Sequence, residues 1–221
     1  MHIRIINPDY GVTPAAMADR CRMLQRVAGP DVHLSMVCLT QTHVEINSPA
    51  DVVAAGPEIL SLARQAEADG CDAVVLYCFS DPALEACRDS LSIPVVGGAQ
   101  ASLLLVPQVA RQAAVLLADK SRIPEKKLWL PTLGLAPERI WGVAAVDMGG
   151  VDIWQHRDEA LAKLTEAGRR LVADGAPCIV LGCLSFLGLA RPLEEALGVP
   201  VVDPAEAAVA MAEALARLRR K

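Results

Sequence analysis

A stretch in the first half of the chain returns in the second. Residues 68–78 read ADGCDAVVLYC and residues 173–183 read ADGAPCIVLGC, an offset of 105. Residues 92–102, SIPVVGGAQAS, lie over residues 198–208, GVPVVDPAEAA, at an offset of 106, so one residue is inserted between the two matching blocks. Similarity carried through about 35 positions is the mark of two homologous halves built to one plan. Whatever architecture the first half adopts, the second must adopt too.

That architecture is legible from the alternation of apolar runs. Short β-branched-rich segments, IRIIN (3–7), VHLSMVCL (32–39), DAVVLYC (72–78) and IPVVG (93–97), predict four strands in the first half. QAAVLLA (112–118), RIWGVAAV (139–146), CIVLGC (178–183) and VPVVD (199–203) predict four in the second. Helical patterns separate them, with Thr13 as an N-cap and Pro14 at the first helical position. Near-continuous apolar strands joined by helical crossovers specify parallel sheets covered on both faces. The expected fold is α/β: two pseudo-symmetric Rossmann-like lobes, each with a mostly four-stranded parallel sheet and with the active site in the cleft between them. Residues 1–97 plus 204–221 are expected to form the N-terminal lobe and residues 98–203 the C-terminal lobe, the last helix folding back onto the first.

Composition narrows the function classes. With 53% hydrophobic and 21% charged residues the chain is globular, and its net charge of −5 offers no basic tract for nucleic acid. The C-terminal Arg217, Arg219, Arg220 and Lys221 read as complements to their own helix dipole. No apolar run reaches the roughly 18 residues of a membrane span, and the N-terminus enters a strand without a secretory leader. Seven cysteines at spacings that match neither zinc nor disulfide frameworks predict a reduced, cytoplasmic setting. His2, His33, His43 and His156 show no metal spacing, and no phosphate-binding glycine loop occurs, so neither a metal nor a nucleotide cofactor is expected.

Two of the seven cysteines stand apart. Cys78 and Cys183 occupy equivalent positions of the repeat, where the third strand of each half gives way to a helix start. Ligands of open parallel sheets bind beyond the C-terminal strand ends. Two thiols flanking one carbon can invert it, one as thiolate base and the other as thiol acid. Asp81 or Ser80 is expected to cap the helix after Cys78 with Pro82 in its first turn. An irregular turn is expected after Cys183, then a short helix from near Arg191. Cys21, Cys38, Cys71, Cys87 and Cys178 read as core or helix-face residues. A redox pair lacks the Cys-x-x-Cys motif. Gly97 and Gly98 read as backbone devices for a tight turn, and THVEINS, with Thr42, His43 and Glu45, as a loop at the cleft wall.

The segments IRIINPD, DAVVLYCFSDPALEACRDSLSIPVVG and DGAPCIVLGCLSFLGLA resemble the aspartate/glutamate/hydantoin racemase superfamily, and most closely its hydantoin and allantoin racemase branch. The resemblance runs through nearly the whole chain. It implies a cofactor-independent racemase or epimerase, a homo-oligomer acting on a small molecule, with Cys78 and Cys183 as the proton-transferring pair. It further implies that Asn7, in the Asn-Pro turn after the first strand, helps to hold substrate together with Phe79, Ser80, Gly98, Leu184 and Ser185. Where members of this branch commonly carry Asn-Pro-Asn, this chain has Asn-Pro-Asp, bringing Asp9 and Tyr10 to the cleft mouth. The second cysteine is followed by Leu184-Ser185-Phe186 rather than small residues, which predicts a bulkier pocket side, and Lys120 replaces a threonine-bearing loop. The substrate class that follows is a hydantoin-like or amino-acid-like compound with its stereocentre next to a carbonyl. Decarboxylation or cis–trans isomerisation on the same scaffold, and non-catalytic binding of a small molecule, remain the alternatives.

Overall fold

Thr13 leaves the first loop in extended conformation (φ −66°, ψ 150°) and its hydroxyl accepts the N–H of Ala16 at 3.2 Å. Pro14 follows at the first helical position, where its missing N–H costs nothing, and helix α1 (Pro14–Leu24) begins there. Ser48 repeats the device for α2 (Pro49–Ala68), accepting the N–H of Asp51 at 3.2 Å. The computed structural model describes residues 1–134 and 136–219.

The remaining elements alternate as the repeat requires. The first half contains β1 (His2–Tyr10), α1, β2 (His33–Leu39), α2, β3 (Ala73–Leu76), α3 (Leu84–Ser90), β4 (Val95–Gly97) and α4 (Gly98–Val109). The second contains β5 (Ala113–Leu117), α5 (Ile123–Trp129), β6 (Ile140–Ala145), α6 (Arg157–Ala173), β7 (Ile179–Leu181), α7 (Ala190–Leu197), β8 (Val201–Val202) and α8 (Pro204–Leu218). The two four-stranded sheets have the same order, β2-β1-β3-β4 and β6-β5-β7-β8, and every pairing is parallel. The register repeats too: Val74 pairs with Val95 in one sheet and its counterpart Ile179 with Val201 in the other.

Packing divides the chain into two compact units, Met1–Ala101 with the chain from Ala205 onward, and Ser102–Pro204. The division falls inside α4 rather than before Gly98, because the first turn of that helix is bonded to the first unit. α8 returns to the first unit, where the Glu213 carboxylate accepts the N–H of Gly29 at 3.0 Å and Arg217 pairs with Asp31 at 2.6 Å and Glu213 at 2.7 Å. Arg217 is therefore held by specific carboxylates rather than by its helix dipole alone, while Arg220 and Lys221 lie outside the described residues. Within the first unit Ile6, Leu39, Ile59, Val74, Leu76 and Leu84 share one core cluster. Leu116, Ile179, Leu181, Phe186 and Leu193 share one in the second.

β1 runs three residues past the expected Asn7. It lies between β2 and β3, a central position hostile to proline, and it accommodates Pro8 with a register shift between Asn7 and Tyr10. The loop after β2 is pinned by a buried carboxylate on α2. Glu58 accepts the backbone N–H groups of Thr40 (2.7 Å), Gln41 (3.1 Å) and Thr42 (2.7 Å). Burial alone would push its carboxyl up, but these N–H groups outweigh it and hold the group below its ordinary 4.5. A depressed carboxyl contributes stability above its unfolded-state value and loses it as pH falls through the folded-state value. Glu58→Gln is therefore expected to cost about 1–3 kcal/mol at neutral pH, read by denaturant unfolding. The gap from the unsubstituted protein should narrow as pH is lowered from 5 to 3, and a constant gap would refute the assignment.

Candidate active site

The third strand of each sheet is gripped on both sides, and the last ladder bond falls just before the cysteine. Tyr77 N–H donates to Ile6 O at 2.8 Å, and its counterpart Gly182 N–H donates to Leu116 O at 2.8 Å. β3 and β7 end at Leu76 and Leu181, so Cys78 and Cys183 stand two residues past the strand ends rather than within the strands. Both are half-buried, in contrast to the fully buried residues of β3 and β7 that precede them. Gly182 has no room for a side chain: an added Cβ would lie 2.6 Å from Leu117 Cδ2 and 3.0 Å from Leu116 O.

The chain beyond Cys78 turns tightly. Asp81 N–H donates to Cys78 O at 3.2 Å, and Asp81 and Ala83 both take left-handed conformations, φ +42° and +58°. α3 begins at Leu84 with no side-chain cap, so neither Asp81 nor Ser80 caps it and Pro82 precedes it. The Asp81 carboxylate instead accepts the N–H groups of Ala99 (3.0 Å) and Gln100 (2.8 Å) in the first turn of α4. Four residues at a helix start lack intrahelical acceptors, and α4 offers these donors to a buried carboxylate. Gly97 serves this arrangement through space rather than turn geometry, since a Cβ there would come within 2.6 Å of both Asp81 oxygens. Gly98 is buried as the first residue of α4.

After Cys183 the chain makes a 3-10 turn over Leu184–Phe186, closed by Phe186 N–H to Cys183 O at 3.2 Å, and α7 starts at Ala190. Leu184 is buried and Ser185 half-buried. Phe186, which the sequence reading set against the pocket, is 0% exposed within the core cluster of the second unit. In the first unit Phe79 is buried and Ser80 half-buried.

The end of β1 gathers the remaining expected residues. Asn7 is 0% exposed; its Oδ1 accepts the N–H of Asp9 at 3.2 Å, and its Nδ2 finds no acceptor among the described residues. A buried donor left unpaired costs about 1–3 kcal/mol. Burial pushes the Asp9 carboxyl up, the nearby Glu45 adds to this, and the N–H of Ile46 and the charge of Arg20 oppose it. Tyr10 is 42% exposed and stacks on His43 with ring centroids 3.8 Å apart. Arg20, buried on α1 with its guanidinium 5.8 Å from the Tyr77 ring centroid, was not singled out from sequence. An arginine on an amphipathic helix carries no mark of burial in the sequence. Lys120 pairs with Asp147 at 2.9 Å on an exposed surface.

Four of the other five cysteines are set apart by burial. Cys38, Cys71, Cys87 and Cys178 are buried, and burial pushes the Cys87 and Cys178 thiols up to about 11. Burial also raises the half-buried Cys21 thiol on α1. Among the described residues no cluster of His, Cys, Asp and Glu is disposed to hold a metal ion, and no helix is long and apolar enough to cross a membrane.

The Asp/Glu/Hydantoin racemase family model matches residues 3–212. A hydantoin racemase of Rhizobium meliloti is 34% identical over 97% of this chain and 88% of its own length. The structure of an allantoin racemase from Klebsiella pneumoniae superposes with a TM-score of 0.90 at 28% identity, covering 98% of this chain and 88% of that one. An arylmalonate decarboxylase structure shares the fold at a TM-score of 0.69 and 23% identity, covering 100% of this chain and 95% of that one.

Exposure separates the thiols in a way that native alkylation reads directly. Brief iodoacetamide treatment at pH 8 should modify Cys78 and Cys183 first and Cys21 more slowly, leaving Cys38, Cys71, Cys87 and Cys178 unmodified until the protein is unfolded. Peptide-level mass spectrometry checks this order. Early modification of Cys87 or Cys178 would contradict the packing described.

Proposed function

We propose that this chain, which belongs to the Asp/Glu/hydantoin racemase family, inverts a carbon stereocentre next to a carbonyl by proton transfer between two cysteines and its substrate. Its reaction is racemisation, an isomerase activity. The observation that carries the two-thiol reading is the equivalence of Cys78 and Cys183: each is a half-buried thiol two residues beyond the third strand of its sheet.

In this reading one cysteine, as thiolate, removes the proton from the stereogenic carbon. The electron pair left behind is delocalised into the adjacent carbonyl as an enolate. The other cysteine, as thiol, returns a proton to the opposite face. The first sulfur ends protonated and the second ends as thiolate, so the enzyme is poised for the reverse direction and no redox change occurs. The proposal requires both sulfurs to reach one carbon centre. Backbone N–H groups of Phe79, Ser80, Leu184 and Ser185 are the proposed donors to the enolate oxygen, a role in which fixed donors stabilise charge as it develops. Asn7 supplies Nδ2 as a donor to a substrate carbonyl, and Asp9, Tyr10 and Gly98 complete the binding set.

The proposed substrate is a five-membered cyclic ureide of the hydantoin type. Its carbonyls share the negative charge of the enolate, whereas a free amino acid must develop that charge beside a carboxylate. The hydantoin racemase and allantoin racemase relatives support this class.

The test is proton NMR in D₂O with 5-substituted hydantoins, allantoin, aspartate and glutamate. Loss of the signal of the proton on the stereogenic carbon, with loss of optical rotation, is expected for a ureide. Release of CO₂ from a malonate, or binding without exchange, would replace racemisation with one of its rivals. Cys78→Ser and Cys183→Ser should each lower kcat by at least about a thousandfold, as expected when the acid–base group itself is removed, and near-normal turnover in either would refute the two-thiol mechanism. Asn7→Ala should raise KM roughly tenfold, the worth of one well-placed hydrogen bond.

A further inference from the structure

The two units tie their cysteine loops down with one chemical device, supplied from opposite ends. In the first unit Asp81, three residues after Cys78 and 6% exposed, reaches from the loop to the N–H groups of Ala99 and Gln100, beyond the end of β4. The space its carboxylate needs is left by Gly97. In the second unit the position equivalent to Asp81 holds Phe186, an apolar core residue, and the position equivalent to Gly97 holds Asp203. Asp203 is 4% exposed, and its Oδ2 accepts the N–H of Gly188 at 2.9 Å, reaching from the end of β8 back to the loop after Cys183. The loops themselves match. Ala83 and Gly188 each stand five residues after the cysteine, and both are left-handed, φ +58° and +81°.

We propose that Asp81 and Asp203 are equivalent positioning residues, each holding the loop of its cysteine against the turn that follows the last strand of its sheet, and that catalysis requires the bridge rather than a carboxylate at a fixed place in the chain. The proposal rests on the assignment of Cys78 and Cys183 as the acid–base pair. Its physical basis is that a left-handed alanine and aspartate persist only where surroundings over-determine them, and a carboxylate bonded to backbone N–H groups is among the stronger restraints available. Carboxylates at these two sites cannot be explained by inheritance of one ancestral residue, since the repeat places them at different positions.

The repeat also supplies the test. Asp81→Ala removes the bridge in the first unit. Adding Gly97→Asp rebuilds it in the manner of the second unit, with Ala83 N–H as the expected donor in place of that of Gly188. The measurements are thermal stability, kcat and KM on the ureide turned over fastest, and alkylation rates of Cys78 and Cys183 followed separately by peptide mass spectrometry. Asp81→Ala is expected to lower kcat roughly ten- to a hundredfold with KM within about threefold, and to change the alkylation rate of Cys78 severalfold without altering that of Cys183. Asp203→Ala should do the converse. The Asp81→Ala/Gly97→Asp protein should recover most of the lost kcat and the original Cys78 rate. A folded Asp81→Ala protein with unchanged kcat and Cys78 reactivity overturns the proposal. So does a folded double variant that remains as impaired as the single one. If Asp81→Ala does not fold, Asp203→Ala takes its place, and a Cys183 rate equal to that of the unsubstituted protein then counts against the bridge. The alkylation rates decide the positioning role even if no ureide is racemised, while the cysteine-to-serine variants decide the reaction separately.

Discussion

Parallel pairing of the third strand on both of its edges is the constraint on which the rest of the site depends. β3 lies between β1 and β4, and β7 between β5 and β8, so their backbone groups are committed and their side chains are buried. The chain can offer a reactive side chain only where the ladder stops. It stops at Tyr77 and Gly182, and a cysteine is the next residue in both sheets. The thiols are thus the first groups beyond a rigid edge, fixed by strands that cannot shift register without exposing an apolar face.

At both ends of the strands the loops are held by carboxylates bonded to backbone N–H groups. Glu58 grips residues 40–42, Asp81 the start of α4, Asp203 the loop at Gly188, Glu213 the loop at Gly29, and Glu67 the N–H groups of Ser92 (2.7 Å) and Ile93 (3.2 Å). Each bond is charge-assisted and satisfies a donor that no ladder or helix can reach. The acidic surplus of the sequence is thereby partly structural: these carboxylates organise the loops that surround the strand ends.

Much of the fold was legible in the residues. The repeat, the eight apolar runs and the Thr13 cap depend on local chemistry, and they led to two four-stranded parallel sheets. Strand ends were less legible, because an apolar run such as DAVVLYC continues past the last ladder bond and nothing in its composition marks where pairing stops. The partner of Asp81 is hidden for a related reason. An aspartate followed by proline satisfies every local rule for a helix cap, yet its carboxylate bonds to residues 18 and 19 positions away. Gly97 was read as a turn device, while its absent side chain makes room for that carboxylate. Phe186 was set against the pocket and belongs to the core.

The sequence by itself determined that the chain folds twice into the same α/β pattern and that a cysteine follows the third strand of each half, since periodicity and repetition are properties of neighbours along the chain. Only the tertiary structure decided that Asn7 buries a donor with no acceptor among the described residues, that Arg20 lies against the Tyr77 ring, and that the Asp81 and Asp203 carboxylates both accept backbone N–H groups. These are outcomes of burial and of contacts between residues distant in sequence, and a carboxylate carries no local sign of which N–H group it will find.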